Sequence, residues 1–358
     1  PKLLVAVPFT PVSGQRILLH PQIWETFDEK DICQIRKAVS TFLIQVAESN
    51  QLSSVHFNFL TDAEATDLSG SLLPSGGLLN NSNNNENSSS NNNNNNNLVS
   101  VQEMLQRMAK YPTNSQQSNT NYLRRTSLQY HWTNENSNNG GKPYASFAEY
   151  LSCFKSKRRI TIKRERRKVL EEDDIRIDAV VGTDILKYDG LVERMFEIYL
   201  STVDKMIWGR QYLTLEFFQL LVKSDFVHNL AFLCARSQSS GPDLKATDVF
   251  AGTFNIVKNG VFYGRYWGCL REVKNLHFET CYWSAIDFCI KNGIQRMEPG
   301  AGGGDYKWAR GFDPELIHST HYICHPGLRR AVTQFLEDET ENNVELREYL
   351  TSKSVVKK

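Results

Sequence analysis

Val261-Phe-Tyr-Gly-Arg-Tyr-Trp267 is the stretch whose reading decides the fold. It is dense in aromatic and β-branched residues, and Asn259-Gly260 separates it from a second such run, Val249–Val257. Asn-Gly between two apolar runs is a strong hairpin signal. Beyond it come a helical stretch, Glu279–Asn292, a short apolar strand, Ile294–Glu298, and a glycine-rich loop, Gly300–Gly304. Strand, helix, strand and loop in this order make an α/β unit.

Working outward, the same order recurs near the N-terminus. Leu3–Thr10 reads as a strand, about Asp31–Ser49 as a helix with Ile35, Val39, Phe42, Leu43 and Val46 on one face, and Val55–Phe59 as an alternating strand. The echo is most simply explained by two copies of one α/β fold, the first lacking its front half. Leu123–Trp132, Ile175–Val181 and Asn229–Arg236 add strands. Ser146 with Glu149 forms a capping box that opens a helix running to Glu172. Val192–Met206, Phe217–Val222 and Gly327–Glu337 add further helices.

From Asn80 to Asn97, 13 of 18 residues are Asn. Such a run cannot bury apolar surface, and residues 69–121 are expected to form a disordered insertion with a short helical patch near Val101–Met108. The expected organisation is therefore 1–68, the insertion 69–121, a larger unit 122–340 that includes a basic helix at 146–172, and a tail 341–358.

Lys and Arg number 41 against 40 Asp and Glu, which disfavours a globally basic nucleic-acid binder. With 40% hydrophobic residues the 358-residue chain can bury a substantial core. No run approaches the length needed to span a bilayer. The seven cysteines are odd in number and none has CxxC spacing, so a reducing compartment is expected, intracellular, either cytoplasmic or organellar. The chain begins at Pro1 with no initiator Met and is expected to be a fragment.

The residues that can carry chemistry lie mostly in the second unit. In Arg296-Met-Glu-Pro-Gly-Ala-Gly-Gly-Gly-Asp-Tyr-Lys307, Gly302, Gly303 and Gly304 would let backbone N–H groups approach an anion, with Lys307 and Arg310 adding charge. The plain alternative is a flexible turn with two solvated cations. Glu298 ends an apolar strand, where it can act as a general base or pair with a nearby arginine. His277 and Glu279 can form a proton-transfer pair, or Glu279 can be a first-turn acid favoured by the helix dipole. Strict alternation places Tyr263 and Arg265 on one face of their strand and Tyr266 on the other, with one face lining a ligand pocket or packing in the core. His318, His321 and His325, beside Cys324, have ligand-like spacing for a helix, yet Ile323 and Pro326 favour a strand or loop, where they would not converge; no metal site is assigned. Lys155–Lys168 holds nine Lys or Arg in 14 residues, a candidate grip for RNA or an anionic lipid surface, or simply a solvated helix face.

Several separate stretches carry a resemblance. Val7-Pro8-Phe9-Thr10-Pro11 through Gly14, Ser53–Phe59, Leu123-Arg124-Arg125 with Gln129–Trp132, Lys163–Arg167, Tyr263–Gly268, His277-Phe278-Glu279, and Gly300-Ala301 with Lys307 and Arg310-Gly311-Phe312, taken in order, resemble the FemAB-like proteins of peptidoglycan biosynthesis/recognition, within the acyl-CoA N-acyltransferase (GNAT-like) superfamily. The resemblance implies tandem GNAT-like α/β (α+β) folds, the first incomplete, with mixed central sheets flanked by helices. It implies N-acyl transfer from acyl-CoA or aminoacyl-tRNA to a small-molecule or peptide amine, with no metal. By position, Glu298 would be the general base, His277 or Glu279 would assist, and Tyr266 would be the acid. Lys307 and Arg310 would hold an anionic part of donor or acceptor, with Arg265 and the three glycines also binding the donor. The competing expectation is a non-catalytic module on the same scaffold that recognises a glycan, peptide or RNA.

Overall fold

Asn259 and Gly260 both adopt positive φ, 52° and 73°, and close the hairpin expected between two strands. The computed structural model describes residues 1–7, 10–70, 122–203 and 211–356. Its strands are β1 (Leu3–Val5), β2 (Ser54–Leu60), β3 (Leu123–Thr133), β4 (Ile175–Val181), β5 (Leu230–Ser237), β6 (Ala251–Lys258), β7 (Val261–Cys269), β8 (Arg296–Glu298) and β9 (Asp313–Ile323). The helices are α1 (Pro21–Thr26), α2 (Glu29–Ser49), α3 (Asp62–Ser69), α4 (Phe147–Ser152), α5 (Ser156–Arg167), α6 (Leu191–Val203), α7 (Leu215–Lys223), α8 (Ser284–Lys291), α9 (Gly304–Trp308) and α10 (Pro326–Ser352).

The chain divides into two compact units that interleave along the sequence. Residues 1–7, 13–127 and 317–342 form one, and residues 8–12, 128–316 and 343–358 the other. The boundaries expected from the sequence ran consecutively. They differ because the second half of β9 pairs antiparallel with β2, Val55 opposite Tyr322 and His56 opposite His321, which brings Ile317–Asn342 back to the N-terminal segment. Residues 341–352, expected as a tail, continue α10.

In the first unit β1 lies parallel to β2, and α2 packs on β2 and α3. Asp28 caps α2 through the Asp31 N–H. Ile44, Ala47, Val55, Phe57, Leu60 and Tyr122 form its core. Two histidines of β9, considered above as metal ligands, are hydrogen-bonded instead. His321 Nδ1 lies 2.8 Å from His56 Nδ1, and His318 Nε2 lies 3.3 Å from Asp62. No cluster of three metal-ligating side chains occurs among the described residues.

The second unit is built on a mixed sheet with strand order β3-β8-β7-β6-β5-β4. Among the described residues of this unit, only β7 and β8 run parallel. One face carries Trp132, Phe147, Tyr150, Phe154, Trp283 and Met297. The other carries Met195, Tyr199, Phe218, Phe232 and Phe254 beneath α6 and α7. Three expectations change. Of the strand expected at Leu3–Thr10, Leu3–Val5 forms one, Ala6, Val7 and Thr10 do not, and Pro8 and Phe9 lie outside the described residues. The single helix expected from Ser146 to Glu172 breaks at Cys153–Lys155, where Phe154 is fully buried and bridges to Val356, and it ends in a π-helical turn, Lys168–Glu172. The helix expected from Glu279 starts earlier, with an α-helical turn at Leu276–Phe278, and passes through a π-helical turn, Glu279–Trp283, ahead of α8. The Asn-rich tract, the patch near Val101–Met108 and Met206 lie outside the described residues.

Helix α6 lies close on β7 because Gly268 has no side chain. A Cβ there would sit 1.7 Å from the Ile198 carbonyl oxygen, a backbone atom that cannot move without shifting the helix. Gly268→Ala is therefore expected to destabilise the protein by about 2 kcal/mol or more, as overpacking does, read from urea unfolding.

Candidate functional site

The register of β3, β8 and β7 sorts their side chains into two rows within the second unit. Met297 stands opposite Trp132 on one side and Phe262 on the other, and all three are buried in the core. The neighbouring row points to the opposite face. There Glu298 pairs in register with Tyr263, and His131 lies across from it, its Nε2 3.9 Å from Glu298 Oε2. Glu298 is only 1% exposed and accepts a 2.7 Å hydrogen bond from Arg296 Nη2. Burial, with Arg296 and Lys307 nearby, pulls His131 down to about 4, so its imidazole is neutral near pH 7. Burial and the Glu298 charge push the Tyr263 phenol up.

β8 stops at Glu298, whereas β7 continues to Cys269. Pro299 has no N–H for a ladder, and Gly300 turns the chain at φ 92°. Further along β7, the Trp267 carbonyl accepts from Thr202 Oγ1 and the Cys269 N–H donates to Ser201 Oγ, both on α6. Between these two points a small cavity of about 80 Å³ opens against Gly264–Trp267. Thr253 and Asn255 of β6 line it, with His277, Cys281 and Tyr282 from the helical segment and Pro299 from the departing chain.

A β-bulge shapes this cavity. Phe254 pairs with Tyr266 but Asn255 pairs with Gly264, so Arg265 is the extra residue. The bulge corrects the strict alternation read from the sequence. Tyr263 is opposite Ile256 and Tyr266 opposite Phe254, so both tyrosines share a face, and it is the face of Glu298. Tyr266 packs edge-on against Tyr199 at 4.9 Å, and burial raises its phenol pKa. Arg265 lies 5.4 Å over the Tyr266 ring, and burial lowers its guanidinium pKa.

The other predicted residues fall into three places. His277 lines the cavity inside a ring of Trp267, Phe278, Tyr282 and Tyr306 at 5.3–6.4 Å. Burial, then Arg310 and Lys307, lower its pKa to about 4. The glycine-rich loop is close-packed at two positions: a Cβ on Gly303 would meet the Tyr306 ring at 1.9 Å and one on Gly304 the Tyr130 ring at 2.7 Å, while one on Gly302, at φ 77°, would have nothing within 4 Å. Lys307, 2% exposed, turns back to donate to the Gly300 carbonyl, and burial lowers its pKa to about 8. Arg310 and Glu279 brace the fold. Arg310 stacks 3.5 Å over Phe278 and donates to the Tyr306 carbonyl at 2.9 Å, and burial lowers it to about 10. Glu279 is clasped by Arg166 through contacts of 2.9–3.1 Å and by Ser284 Oγ, while burial raises its carboxyl.

The arrangement holds a carboxylate, two phenols and a neutral imidazole around a strand edge, with a buried cation close to His131 and His277. Sequence reading missed His131 and Asn255. The signal for His131 is its place across the β3–β8 register, which no local pattern reveals.

A model of the FemAB-like family, described as peptidoglycan biosynthesis/recognition, matches residues 1–108 and 78–358. The chain belongs to the FemAB-like family. No curated protein matches it. Among solved structures, this FemAB-like chain is similar to FemX (9% identity, 92% of this chain, 85% of that one, TM-score 0.44). It is also similar to the L-PGS structure from Bacillus licheniformis (7% identity, 83% and 76%, TM-score 0.43). A third is the C-terminal domain of a putative lysylphosphatidylglycerol synthetase from Agrobacterium fabrum (8% identity, 85% and 76%, TM-score 0.44). No helix among the described residues is long and apolar enough to cross a membrane.

The Arg166–Glu279 clasp is testable. Arg166→Ala leaves a buried carboxylate without its cation and is expected to cost about 3 kcal/mol at pH 7. Arg166 holds down the Glu279 pKa that burial raises, so without it Glu279 takes up a proton at higher pH than in the parent, and the deficit should shrink as pH falls toward 5. Urea unfolding at the two pH values measures both.

Proposed function

We propose that this FemAB-like protein is an N-acyltransferase, which moves an acyl or aminoacyl group from a thioester or ester donor, acyl-CoA or aminoacyl-tRNA, to a small-molecule or peptide amine. The observation that carries the reading is the wedge where β8 ends at Glu298 and β7 runs on, with Tyr266 on the same face as Glu298. The reading includes two GNAT-like units, the first incomplete, and sites of transfer in the second. Family membership supports it through the biosynthetic half of the family's description.

In the proposed reaction the amine nitrogen attacks the donor carbonyl carbon. A C–N bond forms and the C–S or C–O bond to the leaving group breaks. Glu298 takes the proton released by the amine. Tyr266, held protonated by its raised pKa, returns a proton to the departing thiolate or alkoxide. Lys307 opposes the negative charge that develops on the carbonyl oxygen, an effect strengthened where water is excluded. His277, neutral at working pH, orients donor or acceptor by hydrogen bonding. Arg265 and the turn at Gly302–Gly304 hold the donor. Glu279 and Arg310 act through the walls they brace.

Glu298→Gln is expected to lower kcat at least 100-fold with an unchanged melting temperature, the scale of general-base loss. Transfer of labelled acyl groups from each donor class measures it, and unchanged turnover removes Glu298 from the mechanism. Lys307→Met is expected to lower kcat while the melting temperature holds or rises, because burying an ammonium opposes folding. In the unaltered enzyme Lys307 loses its proton as pH rises through about 8, so kcat should fall across that interval.

A further inference from the structure

Helix α5 is fixed by one face and bare on the other. Ile162 is fully buried, Arg158 Nε donates to the Ala309 carbonyl at 2.7 Å, Glu165 stands 4.0 Å from Arg310, and Arg166 clasps Glu279. The outward residues are Lys157, Lys163, Arg164, Arg167 and, in the π-helical turn, Lys168, all exposed. Arg167 lies 3.5 Å from Glu172. Among the described residues no ion pair engages Lys157, Lys163, Arg164 or Lys168. In a chain of net charge +1 the positive potential is thus concentrated here.

We infer that the outward face of α5 docks the phosphate backbone of a base-paired nucleic acid. Side chains three and four apart on a helix stand about 5–6 Å from one another, so the row presents cations at a spacing suited to successive phosphates. Three features choose this partner. The apolar residues Ile162 and Val169 are buried and Ile160 alone is exposed, which leaves no apolar stripe to enter a lipid surface. No aromatic residue interrupts Lys155–Lys168, so the face offers no platform for stacking unpaired bases. The acidic run Glu171–Asp174 bounds the row at one end, which sets its length.

Docking is tested by direct binding, which reads it separately from transfer. Fluorescein-labelled 24-nucleotide RNA and DNA hairpins of arbitrary sequence are titrated with the full chain, read by anisotropy between 50 and 200 mM KCl. Four to five phosphate contacts predict a slope of log K against log[KCl] of about −3.6 to −4.5. Lys163→Glu with Arg164→Glu should weaken binding at least about tenfold and flatten the slope by about 1.8. Lys245→Glu with Lys274→Glu, the same change in net charge on exposed residues elsewhere, should change it less than about twofold. Equal losses in the two double variants overturn the placement. Absence of hairpin binding, with or without binding to phosphatidylglycerol vesicles, overturns the inference, and transfer from acyl-CoA by the same preparation would leave the proposed function standing.

Discussion

The second unit depends on a parallel strand pair that ends early. β7 and β8 share three paired residues, and then Pro299 and Gly300 take the chain away. Proline cannot extend the ladder, and φ 92° at Gly300 lies outside the strand region. Gly264 lets the departing chain pass close, since a Cβ there would lie 3.3 Å from Pro299 Cα. The unpaired edge of β7 then has two fates. Its far end is taken by hydroxyls of α6, which Gly268 allows to approach. Its near end faces the cavity.

Behind the cavity wall formed by His277, Cys281 and Tyr282, the fold tolerates charges that burial penalises. Lys307, Arg310 and Glu279 all lie below 6% exposure. Arg310 and Glu279 are compensated by rings, carbonyls and Arg166, which is how a buried charge is ordinarily accommodated. Lys307 is held by the Gly300 carbonyl, and burial lowers its pKa to about 8. A lysine kept where it opposes folding is a candidate for function on physical grounds.

Much of this was legible in the sequence. Asn259-Gly260 marks the hairpin, the runs on either side mark β6 and β7, and family-specific stretches such as Tyr263–Gly268 and His277-Phe278-Glu279 point to the FemAB-like family. The grouping of Tyr266, Arg265 and His277 at one cavity follows from those elements. What strand periodicity could not give was register. The bulge at Arg265 moves Tyr266 to the face of Glu298, and a single inserted residue leaves no trace in composition. His131 was hidden for the same reason, since its relation to Glu298 is 167 positions distant and fixed only by β3 lying beside β8. The interleaving of the two units was equally invisible, because β9 reads locally as a histidine-rich strand and only its pairing with β2 shows where it belongs.

The central claim is that the free edge of β7 beside Glu298 receives the donor carbonyl. Amide hydrogen exchange of Gly264–Trp267, followed by mass spectrometry with and without acyl-CoA or aminoacyl-tRNA, examines that edge directly. The account predicts slowed exchange at these residues once a donor is bound. Unchanged exchange there, with protection appearing at another part of the second unit, would contradict it.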